Sequence, residues 1–254
     1  MTIDHPIASG IEERRFVSSY DGSEQTYLEK NFGEDAPKDF QRIVIYLHGA
    51  ASHQTQGMTA GIYKDAFSHW AEDLAQRKAL YICPEYRGGS WMGPAAESDV
   101  KEIIQQIRER GFKGKLILAG GSMGGTSALI FASRFPEMID GVIALCPATD
   151  PTKMYSKFSE QFELAYGGSP EEVPEVYAER SSRDFVENLS GLPVYLVHGA
   201  KDALVDVEHS RILVERFKHH GVRYQYKELP EGDHDEPIQA PLGEMLDFVL
   251  CLRE

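Results

Sequence analysis

Cysteine is scarce in this chain. There are three, Cys83, Cys146 and Cys251, odd in number and far apart. A disulfide framework needs paired and closely spaced cysteines, so none is expected. Cys83 and Cys146 fall in or at the end of apolar runs and read as small core residues. Long hydrophobic stretches are missing as well. No run reaches the roughly 18 apolar residues that suggest a membrane helix, and Met1 to Arg15 lacks the apolar core of a signal peptide. No membrane insertion is expected, and the cytoplasm is the default location. Basic charge is in deficit: 26 Lys and Arg stand against 40 Asp and Glu, a net charge of −14 over 254 residues. That balance argues against nucleic acid or an anionic bilayer as the main partner and leaves a small-molecule substrate as the expectation.

What is present is an alternation. Ile43–Leu47, Ala79–Cys83, Lys115–Gly120, Gly141–Leu145, Val194–Val197 and Tyr224–Leu229 are short strand-like runs, most of them continuously apolar. Between them lie segments of helical period, such as Phe67, Trp70, Ala71 and Leu74, or Val100, Ile103, Ile104 and Ile107. Ile238, Leu242, Met245, Leu246 and Val249 predict one C-terminal helix. Buried strands separated by helices indicate an α/β fold with a mostly parallel central sheet, flanked by helices on both faces. Residues 11–30 predict an antiparallel hairpin at one edge. The length fits a single domain over 1–254. One segment, 147–182, is too long for a simple connection. Its Tyr155, Phe158, Phe162 and Tyr166 are spaced to share a helical face. They either pack the insert onto the domain or line a substrate pocket beneath a small lid.

The most informative stretch is Gly120-Gly121-Ser122-Met123-Gly124, between a strand and a helix. A serine at such a turn is held out of the sheet by its backbone, and small neighbours let strand and helix approach. Its hydroxyl becomes a nucleophile only when a base takes its proton, and the base needs a group that fixes its tautomer. Both occur after later strands: Asp202 beyond Val194–Val197 and His234 beyond Tyr224–Leu229. In an open parallel sheet, sites form at those strand ends. Asp206 competes with Asp202 but is more simply a helix N-cap. His48 and His198, each before a glycine at a strand end, read as braces of their turns. After Ile43–Leu47 comes His48-Gly49-Ala50, a turn able to aim the Ala50 N–H at a developing oxyanion, with the Met123 N–H as the second donor. Arg87 and Trp91 fall at the expected rim, where Trp91 either stacks on substrate or packs.

Taken in order, Leu47-His48-Gly49-Ala50, Tyr86-Arg87-Gly88-Gly89-Ser90, Gly120–Gly124, His198-Gly199-Ala200-Lys201-Asp202 and Gly232-Asp233-His234 resemble the α/β-hydrolase serine hydrolases. The likeness is to the prolyl-oligopeptidase-like catalytic domains and the carboxylesterase/feruloyl-esterase-like branch. The resemblance implies a Ser122–His234–Asp202 triad with no metal and no organic cofactor. Only about 40 residues precede Ile43, where the peptidase branch carries a large N-terminal propeller, and this favours the esterase branch. The expectation is therefore a carboxylesterase acting on acyl esters, with Trp91, Tyr155, Phe158 and Phe162 at the substrate. A small peptidase or amidase, or a ligand-binding receptor with incidental turnover, are the alternatives.

Overall fold

A computed structural model describes residues 10–38, 41–50, 52–58 and 64–250, the side chains of 64–66 excepted; Cys251 lies outside the described residues. The strands are β1 (Glu12–Val17), β2 (Glu24–Asn31), β3 (Arg42–Leu47), β4 (Ala79–Pro84), β5 (Leu116–Gly121), β6 (Gly141–Leu145), β7 (Val194–Gly199) and β8 (Tyr224–Leu229). They form one sheet in the order β1-β2-β4-β3-β5-β6-β7-β8. The β1–β2 and β2–β4 pairings are antiparallel and the rest are parallel. The expected edge hairpin is therefore present.

Alternation along each central strand sorts side chains into two cores. Ile43, Ile45, Leu116, Leu118, Val194 and Leu196 face one. Helices α2 (Pro94–Glu109), α3 (Met123–Arg134), α4 (Tyr155–Tyr166) and α6 (Glu208–His220) contribute to that layer. Val44, Tyr46, Ile117, Ala119, Tyr195 and Val197 face the other, covered by α1 (Lys64–Gln76) and α7 (Leu242–Leu250). Helix α3 is buried along nearly its whole length, which is why its sequence is apolar on all sides. Among the described residues no helix is long and apolar enough to cross a membrane.

Two local expectations need correction. Ile238 does not join the C-terminal helix. It sits in a separate turn, Pro237–Gln239, because Pro241 precedes α7 and disfavours helix at the residue before it. Arg87, expected at the rim of the site, is taken up by ion pairs. It binds Asp99 at 2.5 Å and Asp21 at 2.6 Å, and Ser18 Oγ also donates to Asp99, so the group ties the hairpin to the loop after β4.

The insert carries α4 and the short α5 (Pro174–Ala178) and packs down through its aromatics. Phe162 stacks on Trp91 at 4.8 Å, Phe158 lies 5.0 Å from the same indole, and Tyr166 meets Tyr177 edge-on at 4.8 Å. Tyr166 Oη donates to the Trp91 carbonyl, and Trp91 Nε1 donates to Gln161 Oε1. Trp91 is 1% exposed and Phe162 fully buried, so neither is placed to touch substrate as expected. Trp91 and Phe162 stack on one another, and Phe158, Tyr166 and Tyr177 pack around the pair. Tyr155 and Phe158 are half-buried against the same cluster. Helical spacing had marked a packing face.

The start of the insert is also tied to α6. The Thr149 N–H donates to His209 Nδ1 at 3.1 Å, and the ring is buried. Burial pushes His209 down to about 4, the nearby Asp150 opposing weakly. The folded state thus prefers the neutral ring, while the unfolded chain takes up a proton near its ordinary value. The contribution is fully present above about pH 6.5 and is lost as pH falls toward about 4. We expect stability to drop by on the order of 2–3 kcal/mol across that window, with His209→Asn flattening the slope. Urea denaturation at stepped pH checks this, and a slope in the variant equal to wild type contradicts it.

Candidate active site

Four strand ends supply the site. After β5, Ser122 has φ 57° and ψ −121°, a left-handed conformation for a residue with a side chain. Its N–H donates to the Leu145 carbonyl at 2.8 Å and its carbonyl accepts from Thr126 N–H at 2.9 Å, so strand and helix join with almost no loop. The flanking glycines are steric requirements. A Cβ on Gly124 would sit 1.9 Å from the Leu47 carbonyl oxygen, and one on Gly120 would sit 2.4 Å from the Gly124 carbonyl carbon. Met123 opens α3, so its N–H has no carbonyl one turn back to bind and lies at the positive end of the helix.

After β3, the His48-Gly49-Ala50 turn is fixed from several sides. Tyr86 Oη donates to the His48 carbonyl at 2.6 Å. The His48 ring bridges the carbonyls of Gly49 and Glu85, 2.9 Å from each. The Gly49 N–H donates to Gln56 Oε1 at 2.9 Å. Ala50, half-buried, follows these braced residues beside the β5–α3 elbow, whose Gly124 abuts Leu47. His48 therefore braces its turn, as the sequence suggested; the Tyr86 hydroxyl was not foreseen.

After β7 and β8 come Asp202 and His234. His234 Nδ1 donates to Asp202 Oδ2 at 2.7 Å. The carboxylate is fully buried and the imidazole 16% exposed. Asp202 Oδ1 accepts from the Leu204 and Val205 N–H groups, both at 2.8 Å. Burial would raise the Asp202 carboxyl, but hydrogen bonds from His198, His234 and the Val205 amide outweigh it and hold it well below the usual carboxylate range. Asp206 accepts from the Glu208 N–H at 3.0 Å, but the N-cap position of α6 is Val207, so Asp206 lies one residue before the place expected for it. The loop carrying His234 folds over the ends of β5 and β6: Cys146 Sγ lies 3.4 Å from the His234 carbonyl, and Ile238 packs against Gly121.

Cys146 Sγ, an Asp202 oxygen and a His234 nitrogen lie within 4.8 Å of one another, the one grouping among the described residues with metal-ligand chemistry. Burial raises the Cys146 thiol well above its ordinary value, and the Asp202 oxygens are already supplied with donors. The cluster has the chemistry of a packed acid–base pair rather than of a cation cage.

Residues 65–243 match the prolyl oligopeptidase family. This chain belongs to the prolyl oligopeptidase family. Among curated relatives, the uncharacterized peptidase YtmA of Bacillus subtilis is 28% identical over 109 residues, covering 42% of each chain. The acylaminoacyl peptidase of Pyrococcus horikoshii superposes with a TM-score of 0.72 at 14% identity, over 97% of this chain and 43% of that one. A puromycin-hydrolyzing peptidase of Mycobacterium tuberculosis gives 0.75 at 16% identity, over 93% and 38%. The matched stretch spans less than half of each of these proteins, and the two structural likenesses establish an α/β-hydrolase fold.

Within this prolyl oligopeptidase-family fold, the Tyr86 brace carries a stability prediction. Tyr86→Phe leaves the His48 carbonyl without that donor in a buried turn. We expect a loss of about 2 kcal/mol, read from the urea midpoint at unchanged m-value. A wild-type midpoint would show that this bond holds nothing.

Proposed function

We propose that this chain is a serine hydrolase that cleaves acyl bonds through a covalent acyl-enzyme. The 2.7 Å bond between His234 Nδ1 and the buried Asp202 carboxylate, beside a left-handed serine at the strand–helix elbow, carries the proposal. Ser122 Oγ attacks the carbonyl carbon while His234 Nε2 takes its proton. Asp202 steadies the imidazolium, and the Ala50 and Met123 N–H groups receive the oxyanion. The tetrahedral adduct collapses, His234 gives its proton to the departing group, and water enters by the reverse route to release the acid.

For the bond cleaved, we favour the amide of a peptide or an acylated amino acid over the carboxylic ester. The family match and the peptidase names of the relatives support that choice, which reverses the order of preference drawn from the sequence. Esters fit the same machinery and stay as the second substrate class. The substrate is taken to be a small molecule or short peptide, with neither nucleic acid nor an organic cofactor involved.

Ser122→Ala is expected to lower kcat by on the order of 10⁴-fold or more on any substrate, with an unchanged unfolding temperature. Purified protein assayed against aminoacyl anilides, dipeptides and p-nitrophenyl esters of graded acyl length decides the class. Turnover of esters alone defeats the peptidase assignment. Near wild-type turnover by the alanine variant defeats the hydrolase assignment altogether.

A further inference from the structure

A second imidazole touches the carboxylate that His234 uses. His198 Nε2 lies 3.3 Å from Asp202 Oδ2, the same oxygen that accepts from His234, and both His198 and the carboxylate are fully buried. The ring is held from both ends. Nε2 also lies 3.0 Å from the Val205 carbonyl, and Nδ1 lies 2.7 Å from Ser210 Oγ in the first turn of α6. A carbonyl oxygen only accepts, so Nε2 carries the proton. In the neutral ring Nδ1 is then the acceptor, and the Ser210 hydroxyl donates to it. The Nε2–H donates to Val205 O, and Asp202 Oδ2 lies 3.3 Å from the same nitrogen, close enough to share it.

We propose that Ser210 and His198 are positioning residues for the catalytic pair, acting through Asp202, on the serine hydrolase reading given above. The Leu204 and Val205 amides fix one carboxylate oxygen but leave the group free to swing about its Cβ–Cγ bond. A donor on Oδ2 from the buried side stops that swing and keeps the outer lone pair of Oδ2 aimed at His234 Nδ1. The chain of contacts runs from α6 through Ser210 Oγ, His198 Nδ1 and Nε2, and Asp202 Oδ2 to His234 Nδ1. It makes the first turn of α6 a support of the acid–base machinery. A brace that merely stabilised the β7 turn would need the Val205 and Ser210 contacts and not the third, toward Oδ2.

Two readouts test this. One is the rate at which a fluorophosphonate labels Ser122, together with kcat and KM. The other is the low-field proton resonance of the His234 Nδ1–H shared with Asp202, which needs no turnover. His198→Gln keeps a donor near the position of Nε2 and is expected to label within about 3-fold of wild type. His198→Leu removes the donor. It is expected to label about 10- to 100-fold more slowly, to lose kcat at unchanged KM, and to shift or broaden the resonance, as a misplaced catalytic group does. Ser210→Ala is expected to fall between them. A folded leucine variant with wild-type labelling and resonance overturns the proposal, and so does a glutamine variant as slow as the leucine one. Should the leucine variant not fold, Ser210→Ala decides: slower labelling with a shifted resonance supports the role, and wild-type values overturn it. Absence of labelling in the wild-type protein would count against the hydrolase reading alone, and the resonance would still decide the part played by His198.

Discussion

A fully buried carboxylate governs how the catalytic end of this molecule is built. A charge removed from water costs several kcal/mol unless donors replace its hydration shell. Asp202 has four within reach: two amides of its own loop, one imidazole from the next strand end and one from its own strand. Satisfying them dictates the sharp turn after β7, the position of α6 just beyond it and the fold of the β8 loop across the sheet. The hydrogen bonds that prevent a lone buried charge are the same ones that keep Asp202 ionised, and ionisation is what lets it stabilise a protonated His234. Solvation and catalysis are met by one set of contacts.

A second constraint is steric. The Ser122 elbow needs β5, α3 and the turn after β3 closer than side chains allow. Gly120 and Gly124 make that possible, and the hydrogen bonds of Ser122 to Leu145 and Thr126 keep the strained residue in place. The amides expected to receive an oxyanion are therefore supplied by backbone that is already immobile, where electrostatic stabilisation is most effective.

Much of this was legible in the sequence, for identifiable reasons. The central strands read as apolar runs because both faces of the sheet are covered. The three candidate catalytic residues stood out because each follows its own strand, and the glycine spacing marked the elbow. The aromatic insert left two readings open because helical spacing shows that residues share a face and not what the face meets. Trp91, separated in sequence from α4, turned out to be the ring that covers it. The loop after β4 was opaque for another reason. Tyr86, Arg87, Trp91 and Met92 all take positive φ without being glycine, held by contacts such as the Arg87–Asp99 and Tyr86–His48 bonds that no local pattern encodes. His198 was legible as a brace of its turn, whereas its contact with Asp202 depends on the tautomer set by Val205 and Ser210.

An amide asks more of such a constellation than an ester does. An alkoxide or phenolate departs readily from the tetrahedral adduct, whereas an amine must be protonated as the carbon–nitrogen bond breaks. That proton comes from His234, so the ring must swing between serine and leaving nitrogen without losing its tautomer. The tautomer is fixed by Asp202, and Asp202 is fixed from inside the protein rather than by solvent. The donors around Asp202, reaching as far as the first turn of α6, would hold the ring's tautomer for either bond, and the amide is the one that depends on it more.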